Sequence, residues 1–366
     1  MNILFLSMHP APYRDPVLKY AKGVLKEQMD IITLYPNQTT HTEWKLKLKE
    51  YEDIQMTKNK KVFRKFEFHP QIFSVLRKRK YDIAFIQGYM PLTSMFVYIY
   101  MKLKKRKIIY CVDTALNRFG SYKFRYINYL MAKNADALWV PGTASKLLWT
   151  LKDIPSNKIF EGLYTLDWEK IKKTNNIDQK NQIIEMTSNK YTYLFIGNFI
   201  ESRNVLNLLE AYSAVCTKET ALILIGKGEQ FQEVNDYLEA HPTENIYLIP
   251  GLPFDEIHQF YLNADAYVHP GMEPYSVAVQ EAVFAGLPVI CTKEVGASLD
   301  FVREGINGLV IENNDIEKLK KALIKVQNIK PEKTIVSDII QERGIDFAKK
   351  QFNSLLEFIL SNKKEK

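Results

Sequence analysis

Short apolar runs of strand length alternate with amphipathic stretches along the whole chain, and this alternation restricts the fold more than any other feature. A first series of apolar runs ends near Leu151 and comprises NILFLSM, MDIITLY, YDIAFIQ, KIIYCVD and ALWVPG. A second series comprises YTYLFIG, ALILIG, IYLIPG, AYVHPG, LPVICT and GLVIE. Apolar strands separated by helices are typical of parallel sheets covered on both faces. The sequence therefore predicts an α/β chain of two doubly wound, Rossmann-like domains with a cleft between them.

Domain boundaries follow from the same pattern. A chain of 366 residues is long enough for two domains of ordinary size. We expect an N-terminal domain over residues 1–167, a polar linker rich in Lys, Asn and Gln over 168–190, and a second domain over 191–337. Residues 338–366 begin with a helical periodicity that Gly344 interrupts. We expect this C-terminal helix to pack back on the N-terminal domain.

Cysteine usage and hydrophobic segments predict a cytoplasmic protein. Cys111, Cys216 and Cys291 are odd in number and widely spaced, which argues against a disulfide framework or a zinc site. The first apolar run has no basic residues before it and no cleavage site after it, so it predicts a strand instead of a signal peptide. The most hydrophobic later stretch, PLTSMFVYIYM, is shorter than the roughly 20 residues that span a membrane.

The net charge of +8 is unevenly distributed. Residues 57–107 contain 14 Lys or Arg and only two acids, with basic clusters at 77–80 and 102–107. This surplus predicts an anionic partner, and we expect an anionic membrane surface, with the protein peripheral on the inner face of the cell membrane. The alternative is solvated helix ends, where cations are favourable in any case. No nucleic-acid partner is expected, because no recognition motif accompanies the charge.

The most informative segment is HPGMEPYSVAVQEAVFAGLPVI, residues 269–290. It predicts a strand end, a turn, and a helix from about Ser276 to Ala285 that Gly286 terminates. Glu273 precedes this helix and Glu281 lies on its second turn, while the first amides of the helix form an anion site. Phosphate donors flanked by carboxylates suit a sugar nucleotide, since a carboxylate accepts two hydroxyl hydrogen bonds. A capping acid and an ordinary helix-face Glu would have the same spacing.

This segment closely resembles the donor-site signature of retaining glycosyltransferases of family four, of the kind that builds bacterial surface polysaccharides. The resemblance implies the GT-B fold of two facing Rossmann-like domains. It continues through the second half of the chain, in FIGNFIESRNVLNLLEAY, LILIGKGEQ, IYLIPGLPFDEIHQFYLNADAYVHP and EVGASLDFVREGINGLVIENND. The first half matches more loosely, through HPAPYRDP and KIIYCVD.

The resemblance implies roles for several residues within the segment 269–290. Glu273 would bind hydroxyls of the donor sugar and take part in catalysis, and Glu281 would hold the ribose hydroxyls. The amides after Tyr275, at Ser276 and Val277, would contact the distal phosphate.

The resemblance also assigns a phosphate-binding loop. The family usually has an Arg directly after the loop glycine and a Lys or Arg five residues later, whereas this chain has Gly197, Asn198 and then Arg203. Arg203 would bind the departing phosphates, since a guanidinium matches phosphate oxygens. Asn198 stands where the family has a cation, and the charge of Lys227 would partly compensate for this loss. The alternative is that the chain is an inactive descendant of the family.

Candidate acceptor-side residues follow the strands of the first half. The loop from His9 to Arg14, which includes Tyr13, follows the first strand, and Asp113 follows KIIYCV, where family members often place a His or Asp. The resemblance implies a catalytic role for Asp113 near the acceptor. A local cap is the alternative for a single His or Asp at a strand end.

Two absent motifs narrow the chemistry. No D-x-D triplet occurs, which disfavours the other large glycosyltransferase fold, where a carboxylate-bound metal steadies the diphosphate. No G-x-G-x-x-G follows the first strand, which disfavours a nicotinamide dehydrogenase. We expect no metal and no cofactor, because Arg203 and a helix N-terminus can neutralise the leaving diphosphate.

The sequence thus predicts a retaining, metal-independent glycosyltransferase. Its donor would be a nucleoside-diphosphate sugar, with UDP the expected nucleotide, and its acceptor a hydroxyl of a glycan or a polyprenyl-linked intermediate. Three alternatives remain: a nucleotide-sugar epimerase or a phosphorylase on the same fold, and a catalytically silent binding subunit.

Overall fold

The computed structural model describes residues 1–35, 54–55, 60–63, 66–113, 122–172, 183 and 185–361. These residues form two compact units. The first contains the described residues up to Leu166 together with the chain from Ile345 onward, and the second spans Asp167–Gly344.

The first unit is built on a parallel sheet of seven strands in the order β3-β2-β1-β6-β7-β8-β9. Its strands are β1 (Ile3–Ser7), β2 (Met29–Thr33), β3 (Ile54–Gln55), β6 (Ile83–Gln87), β7 (Lys107–Cys111), β8 (Ala137–Trp139) and β9 (Ile159–Phe160). A separate antiparallel hairpin is formed by β4 (Lys60–Phe63) and β5 (Phe66–Phe68). The direction of strand addition changes between β1 and β6, so this sheet has its topological switch point there.

Helices cover both faces of the first sheet. The helices between its strands are α1 (Asp15–Leu25), α2 (Ile72–Lys78), α3 (Leu92–Leu103), α4 (Tyr122–Asn134) and α5 (Thr143–Thr150). Leu4, Leu6 and Ile86 point to one face, where they form a core with Val75 of α2 and neighbouring helices. This alternation along buried strands is what a sheet with helices on both faces requires.

The second unit has a six-stranded parallel sheet in the order β12-β11-β10-β13-β14-β15. Its strands are β10 (Tyr191–Ile196), β11 (Thr220–Ile225), β12 (Ile246–Ile249), β13 (Ala266–His269), β14 (Val289–Thr292) and β15 (Gly308–Ile311). Its helices are α6 (Trp168–Lys172), α7 (Val205–Val215), α8 (Phe231–Ala240), α9 (Phe254–Asn263), α10 (Val277–Phe284), α11 (Ser298–Phe301), α12 (Ile316–Val326) and α13 (Lys333–Arg343). This is the strand order of the dinucleotide-binding fold, with the switch point between β10 and β13.

The last helix, α14 (Ile345–Ser361), returns to the first unit. Its buried Phe352 packs on Phe85 and Trp139, with ring centroids 6.0 and 5.5 Å away. Gly344 lies between α13 and α14. The position has no room for a side chain, since a Cβ there would lie 2.4 Å from the Ile340 carbonyl oxygen. Residues 338–343 therefore complete α13 in the second unit, and the return to the first unit begins at Ile345.

All eleven apolar runs that the sequence marks as strands form parallel strands, so the predicted fold class is confirmed. The strands β3 and β9 and the hairpin were not predicted, since two to four residues are too few for a periodic pattern. Of the expected linker, residues 168–172 form α6, whereas 173–182 and 184 lie outside the described residues. None of the helices formed by described residues is long and apolar enough to cross a membrane.

Candidate active site

The switch point of the second sheet gathers the predicted donor-site residues of that unit. The segment after β10 carries Gly197, Asn198 and Arg203, and the segment after the adjacent β13 carries Glu273. Loops that leave neighbouring strands at a switch point diverge and leave a crevice at the carboxyl edge of the sheet. The fold therefore brings residues about seventy positions apart in the chain to one place.

Glycines allow these segments to touch backbone to backbone. A Cβ at Gly271 would lie 2.2 Å from the Ser202 carbonyl oxygen, and the neighbouring Met272 amide donates to that oxygen at 2.7 Å. A Cβ at Gly226, which follows β11, would lie 1.9 Å from the carbonyl oxygen of Gly197. Any side chain at these positions would push the loops apart.

The Glu273 carboxylate is held between a guanidinium and an imidazole. Arg203 donates from one terminal nitrogen to Glu273 Oε1 at 2.6 Å and from the other to the Met272 carbonyl at 2.5 Å. His269 Nε2 lies 3.0 Å from Glu273 Oε2. Burial alone would raise the pKa of Glu273, but the Arg203 charge and the His269 contact outweigh it and lower that pKa to about 2. Glu273 is therefore a carboxylate at every ordinary pH, and 27% of its side chain is exposed to receive a ligand.

The helix after Glu273 opens onto the same crevice. Ser276 caps α10 through a hydrogen bond that its hydroxyl accepts from the Val279 amide. Ser276 has φ +87°, which an L-residue rarely adopts, and this turn directs the chain from Glu273 into the helix. The first amides of a helix lack intrahelical acceptors and carry the positive end of its dipole. Gly286 ends the helix in the left-handed region, with φ +87°.

Glu281 lies deeper, on the second turn of α10, and is 6% exposed. Its Oε1 lies 3.5 Å from Nε2 of His258, a buried residue of α9. The His258 ring packs edge-on against Trp168 of α6, with centroids 6.4 Å apart. Glu281, the residue predicted to bind the ribose, thus lies in a buried site where His258 orients one of its carboxylate oxygens.

Asn198 and Lys227 lie on two paired segments. The amide of Phe199, next to Asn198, donates to the Lys227 carbonyl at 2.9 Å. The Lys227 side chain is exposed and Asn198 is half-buried. The structure therefore places Lys227 beside the loop that lacks the expected cation after Gly197.

The switch point of the first sheet gathers the predicted acceptor-side residues of that unit. Arg14 is 1% exposed, and its guanidinium donates to Gln87 Oε1 and, at 2.5 Å, to the His9 carbonyl. Gln87 ends β6, so this contact joins the segments that leave β1 and β6. Arg14 therefore lies inside the unit, where it fixes the His9 turn.

Asp113 is bound to a tyrosine from the far edge of the sheet. The Tyr164 hydroxyl donates to Asp113 Oδ1 at 2.6 Å, and the Tyr164 ring packs edge-on against Tyr13, with centroids 4.7 Å apart. Burial and the Asp113 charge raise the pKa of Tyr164 well above its ordinary value. His9, Tyr13, Arg14 and Asp113, which the sequence singled out separately, thus share one edge of the first sheet.

Several residues of both sites were not predicted. His258 and Gln87 come from distant strands or helices and carry no local pattern that marks them. His269 lies in the segment 269–290, but no role was predicted for it. Its position at a strand end, four residues before Glu273, could have indicated the contact between the two side chains. Within the part of the chain that the structure describes, no group of three or more His, Cys, Asp or Glu side chains is arranged to hold a metal ion.

The chain is similar in sequence to known glycosyltransferases. Residues 176–342 match the family described as "Glycosyl transferases group 1". The chain is 24% identical to an uncharacterized glycosyltransferase of Methanocaldococcus jannaschii, over 89% of this chain and 87% of that one. The chain has the GT-B fold, and its second unit is similar to this glycosyltransferase family. The resemblance that the sequence indicated is confirmed.

Two further proteins are similar to this chain. It is 25% identical to the capsular polysaccharide biosynthesis glycosyltransferase CapM of Staphylococcus aureus, over 56% of this chain and 57% of that one. Its structure resembles that of Anabaena HepE in complex with UDP-glucose, with a TM-score of 0.75 and 15% identity, over 98% of this chain and 99% of that one. At that identity, the structural similarity concerns the fold alone.

Proposed function

We propose that this glycosyltransferase moves a sugar from a nucleoside-diphosphate sugar to a hydroxyl of a glycan or a polyprenyl-linked acceptor, with retention at the anomeric carbon and without a metal ion. The observation that carries the proposal is the Arg203–Glu273–His269 cluster at the switch point, beside the N-terminus of α10. A role in surface polysaccharide synthesis is supported by the similarity to CapM.

The chemistry assigned to each residue follows from its charge and position. Glu273, charged at every ordinary pH, accepts hydrogen bonds from sugar hydroxyls, and Glu281 accepts those of the ribose. A guanidinium has five donors, so Arg203 can bind a phosphate oxygen while it still holds Glu273. The amides at the start of α10, with Lys227, complete the neutralisation of the diphosphate, which is the function a metal would otherwise perform.

In the proposed reaction, the bond between the anomeric carbon and the diphosphate oxygen breaks as the diphosphate departs toward Arg203 and α10. The acceptor oxygen bonds to the anomeric carbon from the same face and passes its proton to the departing phosphate oxygen. We assign the acceptor to the edge of the first sheet that carries His9, Tyr13 and Asp113, with Arg14 holding that edge in place.

The test is a panel of UDP-, GDP- and dTDP-sugars, each incubated with the full-length protein, with and without a bacterial lipid-linked glycan extract. We expect nucleoside diphosphate release from one donor, most strongly a UDP-sugar, with sugar incorporated into the extract and the anomeric configuration retained by NMR. Conversion of a nucleotide sugar without acceptor would indicate an epimerase, and phosphate-dependent release of sugar phosphate a phosphorylase. Donor binding without turnover would indicate a silent subunit.

Metal independence is tested in the same assay. The rate is expected to be unchanged by EDTA, because Arg203 and the amides of α10 neutralise the leaving group. Loss of activity in EDTA that magnesium or manganese restores would contradict this part of the proposal.

A further inference from the structure

Four consecutive helices of the first unit, α2 to α5, contain no acidic residue. They contain seven basic residues: Arg77, Lys78, Lys102, Lys123, Arg125, Lys133 and Lys146. We call these helices, with the residues that cap their C-terminal ends, the basic helix layer. The opposite face of the same sheet is different, since α1 contains Asp15 and α14 contains Asp346 and Glu357.

The helices of the layer are neighbours. The rings of Phe73 in α2 and Phe96 in α3 lie 5.0 Å apart. The Tyr98 hydroxyl of α3 donates to the Met131 carbonyl of α4 at 2.7 Å. Because each helix returns the chain from one parallel strand to the next, the C-terminal ends of all four lie at the same edge of the sheet.

Stabilisation of helix dipoles does not account for this composition. That explanation predicts acids in the first turn as well as bases in the last turn. None of the four helices has an acid in its first turn, whereas α8, α12 and α14 each have one. The helices α7, α10 and α13 also lack a first-turn acid, but each contains an acid further along, at Glu210, Glu281 and Asp338, and the four helices contain none at any position. The positive charge is therefore a property of the whole surface that these helices form, and does not serve to stabilise each helix separately.

Arg125 of the layer lies close to a second cation, Lys152. Burial and the nearby Arg125 charge lower the pKa of Lys152, which follows α5. Other bases pair within the unit: Arg79, which caps α2, with Asp30 at 2.6 Å, Arg106 with Asp82 at 2.7 Å, Lys107 with Asp136 at 2.9 Å, and Lys146 of α5 with Glu161 at 3.6 Å. The two basic clusters found in the sequence thus contain both structural pairs and exposed bases. The exposed bases lie in α2 and α3 or directly after them: Arg77, Lys78, Lys80, Lys102, Lys104 and Lys105.

Large apolar side chains are exposed on the same helices. Of the ten exposed large hydrophobic residues described in the first unit, seven belong to the layer: Phe73, Ile99, Leu103, Tyr126, Leu130, Leu147 and Leu151. Leu103 and Leu151 are 79% and 80% exposed at the C-terminal ends of α3 and α5. Lys102, Lys104 and Lys105 surround Leu103 and are exposed as well.

We propose that the basic helix layer docks this protein on an anionic phospholipid bilayer, with its lysines at the headgroups and Leu103 and Leu151 in the interface. Charge complementarity selects an anionic partner. The protruding aliphatic side chains select a bilayer over a nucleic acid, which is contacted by cations, polar groups and aromatic rings. The proposal goes beyond the sugar-transfer reaction, and vesicle binding requires no turnover.

The test is co-sedimentation of the full-length protein with vesicles of phosphatidylglycerol and phosphatidylcholine in equal amounts, and with phosphatidylcholine alone. We expect binding to the anionic vesicles only, weakening as salt is added. The triple variant Lys102→Gln, Lys104→Gln, Lys105→Gln should bind roughly 100-fold more weakly, at about fivefold per lysine near the surface. The matched control Lys321→Gln, Lys325→Gln, Lys330→Gln removes three exposed lysines of the second unit and should bind like the parent.

The apolar part of the proposal has its own variant. Leu103→Ser with Leu151→Ser should weaken vesicle binding and leave its salt dependence unchanged, whereas Leu299→Ser, at a residue 61% exposed in the second unit, should have no effect. All these residues are exposed, so circular dichroism and donor hydrolysis should match the parent, which separates this test from that of the sugar-transfer reaction. Absent vesicle binding, equal loss in the matched control, or tighter binding to duplex DNA or RNA than to the vesicles would overturn the proposal.

Discussion

Replacing Arg203 by methionine removes the cation that keeps the Glu273 carboxylate charged. Arg203 donates to Glu273 Oε1 at 2.6 Å, and the two side chains are 13% and 27% exposed. Methionine has a similar length but no charge, so the partly buried carboxylate would lose its cation and keep its contacts with His269 and Ser276. Burial then has more weight, and we expect the pKa of Glu273 to rise from about 2 toward its ordinary value of 4.5.

The size of the effect follows from the pKa shift. A pKa of about 2, against 4.5 ordinarily, corresponds to about 3 kcal/mol of stability at pH 7. Because the folded-state pKa is the lower one, this contribution is complete above about pH 5 and is lost as the pH falls toward 2. We therefore expect Arg203→Met to lower the free energy of unfolding by about 3 kcal/mol at pH 7, and by about half of that at pH 3.

Urea unfolding of the parent and the variant across this pH range measures the effect, and carbon-13 NMR of labelled glutamate reports the Glu273 pKa directly. Arg203→Met combined with Glu273→Gln should lose much less than the sum of the two single variants, because a neutral amide needs no cation. Lys172→Met is the matched control at an exposed ion pair with Glu169 and should cost less than about 0.5 kcal/mol. A pH-independent loss, or an unchanged Glu273 pKa in Arg203→Met, would refute the reasoning.

Three further variants test other parts of the structure. Phe352→Ala empties a fully buried site between α14 and the first sheet and should lower the free energy of unfolding by about 3–5 kcal/mol in urea titrations; a loss below about 1 kcal/mol would contradict the packing of α14. Gly271→Ala places a Cβ 2.2 Å from the Ser202 carbonyl oxygen and should lower the melting temperature and weaken donor binding in calorimetry, whereas Gly23→Ala, in open space, should do neither. Ser276→Ala removes the α10 cap and should cost about 1 kcal/mol, with Ser361→Ala at the end of α14 as a neutral comparison.

The sequence was sufficient for the elements that have a local pattern. All eleven apolar strands, the helix after Ser276 and its termination at Gly286 could be predicted, because hydrophobic runs and glycine positions report directly on backbone structure. The order of the strands in each sheet could not be predicted from these local patterns, although this order brings Arg203 next to Glu273. The carboxyl-edge rule for parallel sheets was enough to direct attention to the right loops.

Contacts between distant segments were the part that could not be predicted. Arg14 was predicted as an acceptor-side residue, and its contacts inside the unit, where Gln87 and the His9 carbonyl accept its donors, were not predicted. His258 reaches Glu281 from another helix, and Tyr164 reaches Asp113 from the segment that follows β9. Such partners depend on the packing of elements that are far apart in sequence. The roles assigned to Glu273, Glu281 and Asp113 stay predictions until they are measured.

The most direct test of the central claim is the turnover number of Glu273→Gln with the donor that the panel identifies. The amide keeps the size of the side chain but loses its charge and one acceptor oxygen, so we expect turnover to fall by at least about 100-fold while the protein remains folded. Asp346→Asn, at an exposed carboxylate of α14, should keep the parental rate. Transfer at the parental rate by a folded Glu273→Gln variant would contradict the assignment of this site.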